Sequence, residues 1–387
     1  KYAEDLMHVV TDACNFPNWN PSHFLDVAEM SFAVALTYDW LYNYLNEVQK
    51  EEIKKALLNK GLRPLKEAYD FEYHNGKEPG KVVEERKTNS KFGRYGWINA
   101  NGNWSIVCNS GAGMGALALA SQKTRIAEQI IADSLKSIPN TLKDFAPDGG
   151  WPEGPNYWRY TIMNLCQYML SLETVLDSTL EIEDYPGLKN TSDFIINLVG
   201  PTGKDFNYGD SRADGFNYPT SLIRYLAIKY DKPIASWFRN KTLEKGFDKR
   251  NLDRVFDFIL YDPEFSKSPQ ELDYPLDSYL KEEEVVSMRS AWENEEAIFV
   301  AIKGGSNQVN HNHLDLGSFV LDAFGVRWAE DIGAPNYNLP GFNFYRRRAE
   351  GHNTIVINPS EELEQSQHVF AKMEKTELNS KEPFAIL

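Results

Sequence analysis

Apolar residues recur every three to four positions through most of the first 280 residues, which is the spacing of amphipathic helices. Residues 23–45 show this spacing most clearly, and Asn-Pro-Ser at 20–22 supplies a helix start before them. The same pattern predicts further helices over residues 47–62, 111–121, 125–138, 157–176, 192–199, 219–230 and 252–260. No fixed sequence period stands out, so a short-repeat solenoid is not predicted.

The pattern changes near residue 284 to short β-branched or aromatic segments bounded by turn residues. These segments predict strands over residues 285–292, 297–303, 317–324 and 354–358, with a tight reversal at 324–326. Helices followed by strands favour two domains over a β–α–β fold. We predict a helical domain at residues 1–280 and a β domain at 281–387, with the acidic stretch 262–284 as linker.

The β part is small for a sandwich, so we expect the β domain to be truncated at its C terminus. The first residue is Lys1 rather than Met, so we also expect that any signal peptide is missing from this sequence.

Composition narrows the classes of function. The net charge is 41 − 56 = −15, and an acidic surface disfavours nucleic acid as a partner. No apolar run approaches the ~20 residues of a membrane span. Three widely spaced cysteines form neither a disulfide framework nor a zinc ribbon. Aromatic residues make up 13% of the chain, which leaves a surplus that could stack on sugar rings.

The densest polar cluster contains His311 and His313, two residues apart just before a predicted strand. Asp331 and His352 follow downstream. Two histidines and a carboxylate form a ligand set typical of zinc, although histidines in loops also cap turns.

His311, His313 and Asp315 also match the start of an HxHxDH binuclear hydrolase motif. Leu316 stands where that motif requires a sixth-position histidine, which argues against a binuclear site.

Four further segments combine polar and aromatic residues. A Gly/Pro-rich loop at 148–156 leads into a predicted helix and brings together carboxylates, Trp, Tyr and Arg, as a saccharide site or a helix start would. Asn99, Asn101 and Asn103 form turns or offer an amide to a carboxylate. Residues 207–212 form a polar loop, and Tyr-Arg-Arg-Arg at 345–348 either binds an anion or is a solvated charge run.

Together these motifs resemble a known family. His-Asn-His-Leu-Asp-Leu-Gly-Ser-Phe at 311–319, Arg-Trp-Ala-Glu-Asp-Ile-Gly at 327–333 and Tyr-Arg-Arg-Arg-Ala-Glu-Gly-His-Asn-Thr at 345–354 resemble the central signature of heparinase II/III-like polysaccharide lyases, a group that includes alginate and oligoalginate lyases. Asn-Trp at 103–104, Trp-x-Glu-Gly-x-x-Tyr at 151–157 and Tyr-Gly-Asp-Ser at 208–211 resemble its helical-domain motifs in the same order. The resemblance covers residues 20–360 and implies an (α/α) toroid, an incomplete barrel of helical hairpins, followed by an antiparallel β-sandwich.

The resemblance implies β-elimination of a uronate-containing polysaccharide of glycosaminoglycan or alginate type. A base removes the C5 proton, a donor neutralises the carboxylate, and an acid protonates the departing O4. By resemblance Asn103 is the neutraliser, with Asn99 and Asn101 as register alternatives. Tyr157 is the acid and, for some epimers, the base, with Arg159 as a cation that would favour its phenolate. His311 is the base or a partner of Tyr157.

The resemblance also implies one divalent metal, zinc and mainly structural, held by His313, Asp331 and His352. The candidate substrate contacts are Trp104, Trp151, Glu153, Trp158, Arg159, Tyr208, Arg212, Tyr345 and Arg348. Some members carry a second His, an Arg or a Glu soon after the Asn103 position, where this chain has Ile106 and Val107, so the substrate subclass stays open. A periplasmic or secreted location follows only from where such polysaccharides occur.

Two other functions are consistent with the sequence. An (α/α)-barrel glycoside hydrolase would use Asp148 and Glu153 as acid and base. A non-catalytic glycan-binding protein would keep the tryptophans and tolerate loss of Tyr157. For the lyase we expect a cleft between the two domains, with Asn103 and Tyr157 on the helical side and His311 on the β side.

Overall fold

The computed structural model describes residues 1–74, 95–122, 125–212, 220–246, 253–338, 345–360 and 362–387. The chain forms two compact units, one made of Lys1–Leu142 with Asn164–Glu183 and the other of Lys143–Met163 with Asp184–Leu387. The long helix Pro155–Leu176 contributes residues to both units. Among the described helices, none is both long and apolar enough to cross a membrane.

The first unit is helical. Its helices are α1 (Tyr2–Asn15), α2 (Leu25–Trp40), α3 (Glu47–Ala56), α4 (Arg63–Tyr69), α5 (Asn103–Ala118), α6 (Arg125–Ser137), α7 (Pro139–Leu142) and the second half of α8 (Pro155–Leu176). Asn46 starts α3 with a capping box, because its side chain accepts from the Gln49 amide while the Gln49 side chain accepts from the Asn46 amide. π-Helical turns at Leu57–Leu62 and Asp70–His74 continue this helical segment as far as His74.

Small residues allow α5 to pack closely against its neighbours. A Cβ on Gly111 would overlap the backbone of Ala28 in α2, and a Cβ on Gly113 would overlap the ring of Tyr168 in α8. The Tyr168 ring is fully buried, and its hydroxyl lies 2.8 Å from the Ser134 Oγ. The Gly- and Ala-rich composition of this helix is therefore required by the packing of the first unit.

The helices of the second unit are α9 (Thr191–Leu198), α10 (Ile223–Lys229), α11 (Pro233–Glu244) and α12 (Val255–Ile259), with the first turns of α8. A buried ion cluster joins three of them. Asp257 accepts from the Arg224 Nε at 3.1 Å and from the Arg239 NH2 at 2.6 Å. Burial would raise the pKa of Asp257, but the two guanidinium groups outweigh it and lower that pKa.

The β part of the second unit is antiparallel. β1 (Ser278–Leu280), β2 (Val285–Arg289), β3 (Phe299–Lys303), β5 (Phe319–Ala323) and β6 (Val326–Ala329) form one sheet in the order β1-β2-β3-β5-β6. β4 (Gly305–Ser306) pairs with β7 (Phe370–Ala371), and β8 (Lys375–Glu377) pairs with β9 (Phe384–Ile386). Alternate residues of β3 are buried, as expected for a strand with one face on the core.

Most of the predicted elements are present. The predicted reversal is confirmed, because Phe324 and Gly325 both have positive φ and join β5 to β6. The strand predicted at 354–358 is wrong, because these residues form bends and pair with no strand in the described part of the chain. The predicted linker 262–284 contains β1, and α1 was not predicted. The predicted starts at 219 and 252 lie outside the described residues.

Replacing Gly113 with alanine should destabilise the protein by about 1–3 kcal/mol, because the new methyl group overlaps the buried Tyr168 ring. The matched control is Gly115→Ala in the same helix, where the nearest atom to the new Cβ is the Leu62 Cδ2 at 3.1 Å. There the gain in helix propensity offsets the crowding, so the change should stay within about 1 kcal/mol. Denaturant unfolding measures both variants, and equal stability of the two would contradict this account of the packing.

Candidate active site

Tyr157 and His311 lie together in the second unit. Tyr157 is in the first turns of α8, and His311 is in the loop between β4 and β5. Their rings stack with centroids 3.5 Å apart and planes inclined by 16°. The predicted proximity of these two residues is confirmed, although 154 positions separate them in sequence. Their catalytic roles stay a prediction.

The backbone at His311 is held in an unfavourable conformation. Its φ is +57°, in the left-handed region that non-glycine residues rarely adopt. The His311 carbonyl accepts a hydrogen bond from the Asp210 amide at 2.9 Å, next to Gly209. A Cβ on Gly209 would lie 2.9 Å from this carbonyl oxygen, and Gly209 itself has a φ of +60°. Gly209 therefore permits the close approach of the two loops. Strain of this kind concentrates at functional sites.

The Asp210 carboxylate connects three side chains of the site. Its Oδ2 lies 2.7 Å from the His311 Nδ1 and 2.7 Å from the Tyr337 hydroxyl. Its Oδ1 lies 2.9 Å from the His313 Nε2. Burial would raise the pKa of Asp210, but the hydrogen bonds from His311, His313 and Tyr337 outweigh it and hold that pKa well below its usual range. Asp210 is therefore a carboxylate that accepts from all three.

This bonding fixes the tautomer of His311. Because Asp210 is ionised and only accepts, the Nδ1 of His311 carries the proton. The neutral imidazole then has its lone pair on Nε2. The His311 side chain is 21% exposed, whereas the Asp210 side chain is 3% exposed. The arrangement is a partly exposed imidazole oriented by a buried carboxylate, as general bases commonly are.

Tyr157 reaches the same carboxylate through Tyr337. The two hydroxyl oxygens are 2.7 Å apart, and since Tyr337 donates to Asp210, Tyr157 donates to Tyr337. Burial is the main cause that raises the pKa of Tyr157 to about 12; the hydrogen bond with Tyr337 opposes it, and the charges of Asp210 and Glu153 add to it. The expectation of a phenolate favoured by Arg159 is therefore wrong, because the charges that act on Tyr157 are carboxylates. A neutral phenol is suited to donate a proton.

His313 and His352 form a buried pair beside this site. The His313 Nδ1 faces the His352 Nε2 at 3.2 Å. The His313 Nε2 is bound to Asp210, and the His352 Nδ1 lies 2.6 Å from the Asp331 Oδ2. In their neutral forms both histidines therefore donate to a carboxylate and point lone pairs at each other. Two facing lone pairs need a cation between them, either a proton or a metal.

The third predicted ligand takes a different position. Asp331 contacts the far nitrogen of His352, and its Oδ1 accepts from the Gly333 amide at 2.8 Å. No group of three or more His, Cys, Asp or Glu side chains converges as a metal site within the described ranges. Metal binding by His313 and His352 stays a prediction, and Asp331 holds the ring of His352 from the side away from His313.

Asp315 is unavailable as a ligand. It is fully buried, pairs with Lys303, and accepts from the Gly209 amide at 3.0 Å. This bonding agrees with the argument from Leu316 against a binuclear hydrolase site.

Glu153 holds two loops together and is too buried to contact a substrate directly. It is 2% exposed, and its Oε1 accepts from the Asn310 amide nitrogen at 2.7 Å while its Oε2 accepts from the Trp151 indole at 3.2 Å. The prediction of Glu153 as a substrate contact is therefore wrong. The acid–base pair of Asp148 with Glu153 is equally disfavoured, since the Asp148 Oδ2 accepts from the Lys281 amide at 2.7 Å.

Several predicted sugar contacts are core residues. Trp151, Trp158 and Tyr208 are each at most 1% exposed, so these three predictions are wrong. Burying such rings removes a large apolar area from water, and their polar atoms find partners inside the protein. The Trp158 indole donates to the Thr191 Oγ1 at 2.8 Å.

The predicted cationic contacts fall into two groups. Arg348 binds Glu364 at 2.8 Å and Glu350 at 3.1 Å with a side chain only 15% exposed, so it braces a loop, and its prediction as a substrate contact is wrong. Tyr345 and Arg212 are exposed, and Arg159 is half-buried. These three residues remain candidates for substrate contact.

Asn103 and Trp104 belong to the first unit. Asn103 is 3% exposed at the start of α5, and Trp104 is half-buried with an edge contact to His23 at 5.0 Å. Of the register alternatives, Asn99 donates its amide to Glu72, and Asn101 is exposed. The convergence of an asparagine with Tyr157 and His311, and the cleft between domains, stay predictions.

Sequence reasoning did not assign roles to Asp210, Tyr337 and Asn310. Asp210 stood in a polar loop between two other candidates, and the Tyr-Gly-Asp-Ser motif at 208–211 was the signal that could have found it. Tyr337 carries no local signal, since it reaches Asp210 from 127 residues away in sequence.

Comparison with known proteins supports the fold. Residues 288–382 match the family model described as heparinase II/III-like, C-terminal. The chain is similar to the crystal structure of heparinase III, with a TM-score of 0.62 and 13% identity over 92% of this chain and 49% of that chain. It is also similar to the heparinase III BT4657 gene product, with a TM-score of 0.55 and 14% identity over 87% of this chain and 45% of that one. No curated protein matches the sequence.

The chain thus spans about half the length of these heparinase III structures. The predicted fold class, an (α/α) toroid followed by an antiparallel β-sandwich, is confirmed by the likeness and by the order of helices and sheets. Residues 288–382 thus match the heparinase II/III-like C-terminal family model, and the chain has the fold of the heparinase III structures.

Proposed function

We propose that this protein is a polysaccharide lyase that cleaves a uronate-containing polysaccharide by β-elimination. The observation that carries the proposal is the stacked pair of Tyr157 and His311, a neutral phenol beside an imidazole whose Nδ1 is bound to a buried carboxylate. This reaction removes a proton from one carbon and protonates the oxygen that leaves the adjacent carbon, so it needs a base and an acid side by side.

In the proposed reaction the Nε2 of His311 takes the C5 proton of the uronate. The electron pair of the broken C5–H bond forms the C4–C5 double bond, and the C4–O4 bond breaks. Tyr157 donates its proton to the departing O4. The products are an unsaturated uronate and a new hydroxyl end, and no water is consumed.

The carboxylate of the uronate must be neutralised while charge develops on it. The assignment of this role to Asn103, which is only 3% exposed, or to the exposed Asn101 stays a prediction from the resemblance. Asp210 positions the base, because it fixes the His311 tautomer and stabilises the imidazolium that forms.

The substrate we propose is of glycosaminoglycan type, since the similar solved structures are named heparinase III. Alginate is the alternative polymer for the assay. We place the reaction in the periplasm or outside the cell, where such polymers occur.

We further propose that His313 and His352 bind one divalent cation, zinc being the ion whose ligand preferences they meet. When bound, the metal would satisfy the two facing lone pairs and fix the two rings. The proton transfers are carried out by Tyr157 and His311.

Replacing Tyr157 with phenylalanine removes the proton donor and keeps the ring. Elimination should fall by about 10²–10⁴-fold, the loss typical of a general acid, while the melting temperature changes little. Absorbance of the unsaturated uronate during incubation with heparan sulfate measures the rate. The control is Tyr44→Phe, at a position 54% exposed in the first unit. Turnover of the Tyr157 variant equal to that of the control would overturn the proposal.

Asp210→Asn replaces the acceptor of the His311 proton with a group of the same shape. The tautomer of His311 is then no longer fixed, so kcat should fall by about 100-fold or more with KM little changed. Asp39→Asn, at an exposed position of α2, is the control and should retain its rate. If Asp210→Asn lowers the melting temperature but leaves kcat unchanged, Asp210 stabilises the fold and does not position His311 for catalysis.

Metal analysis of the purified protein should give about one equivalent of zinc or a similar ion. Chelation should lower the melting temperature, because an ion bound only to the native state stabilises it. His352→Ala should lose the metal, whereas His8→Ala, at an exposed position of α1, should keep it. If the purified protein contains no metal and chelation leaves its melting temperature unchanged, a proton and not a metal lies between His313 and His352.

A further inference from the structure

A second concave site lies in the second unit, away from Tyr157, His311, Asp210 and Tyr337, which we call the Tyr157 cluster. It is a pocket of about 390 Å³. Its walls are α11 with Trp237 and Lys241, the loop after β2 with Trp292 and Asn294, and the loop 199–203. This volume is within the range of pockets that bind small ligands.

Aromatic rings form one side of the pocket. Trp237 and Trp292 meet edge to face, with centroids 6.4 Å apart and planes at 88°. The guanidinium of Arg289 lies 3.6 Å from the centre of the Trp292 ring, and Tyr274 makes an edge contact with that ring. Trp292 is thus held by its neighbours, and the half-buried Trp237 supplies the aromatic surface of the pocket.

The charges at the rim balance one another. Lys241 pairs with Glu244 at 3.0 Å, and Lys245 pairs with Glu295 at 3.3 Å. Arg289 and Glu293 complete three cations and three carboxylates in the lining, which therefore has no excess of either sign and does not select an anion. It does offer ammonium donors and carboxylate acceptors, which are the partners that vicinal hydroxyl groups need.

The buried guanidinium of Arg289 lies beside Trp292 in the lining of the pocket. Its NH1 and NH2 donate to the Val199 and Asn197 carbonyls at 3.3 and 2.9 Å, and the side chain is 7% exposed. Its Nε–H is buried and has no hydrogen-bond partner among the residues that the structure describes. Because this atom is enclosed by protein, Arg289 contributes to the pocket by holding the Trp292 ring against its guanidinium at 3.6 Å.

We propose that this pocket is a non-catalytic saccharide-binding site. The C–H face of a pyranose ring packs on Trp237, while the sugar hydroxyls bond with the rim residues Lys241, Asn294 and Glu244. The site would hold one sugar ring of the polymer that is cleaved at the Tyr157 cluster. The identity of that polymer rests on the proposed function, whereas the saccharide site itself does not.

The test uses Tyr157→Phe protein, so that the probe is not consumed. The probe is an unsulfated tetrasaccharide of alternating uronate and N-acetylglucosamine, and calorimetry gives the affinity and the number of sites. Trp237→Leu removes the flat ring and keeps an apolar side chain. The matched control is Trp328→Leu, at a tryptophan of β6 that is 65% exposed and outside the pocket.

Two sites are expected in the parent and in the Trp328 variant, with the pocket site weakened about two- to tenfold by Trp237→Leu. Asn294→Leu on the exposed rim should weaken the same site if Trp237→Leu fails to fold. Binding at the pocket should depend weakly on salt, since no net charge recognises the ligand. Identical isotherms for the Trp237, Asn294 and Trp328 variants, or a steep salt dependence, would overturn the proposal. If Tyr157→Phe keeps its turnover, the proposed function is refuted. The saccharide site is still tested by the isotherms of the Trp237, Asn294 and Trp328 variants.

Discussion

The candidate active site depends on one buried carboxylate, that of Asp210. It accepts hydrogen bonds from His311, His313 and Tyr337, and its backbone amide donates to the His311 carbonyl. A buried carboxylate without such donors would be strongly destabilising, so the three donors and the acceptor hold one another in place. Loops that are far apart in the sequence are thereby fixed around one group, and the stacking of Tyr157 on His311 follows from that fixation.

The two histidines of the His-Asn-His motif differ in their surroundings, which separates their roles. His311 is partly exposed, whereas His313 is fully buried beside His352. The left-handed backbone occurs at His311, whose ring stacks on Tyr157, while His313, two residues further on, is buried in the core. A group that exchanges protons with a substrate must be accessible, and a group that holds an ion or stabilises the sheet is best buried.

The sequence was sufficient to predict the order of the elements and the meeting of Tyr157 with His311. Long periodic helices carry a strong local signal, and the resemblance linked motifs that are distant in the chain. The strand predicted at 354–358 failed because β-propensity does not supply a pairing partner. Trp151, Trp158 and Tyr208 were misassigned because an aromatic ring in a polar motif looks the same whether it is on the surface or in the core. The Tyr337 contact arises only from tertiary packing.

The central claim is elimination without water, and the masses of the products test it most directly. The protein is incubated with a purified heparan sulfate oligosaccharide, and mass spectrometry identifies the two fragments of a single cleavage. The account predicts that the two fragment masses add up to the mass of the substrate, because the bond breaks without addition of water. Fragments whose summed mass exceeds that of the substrate by one water would show hydrolysis and contradict the account.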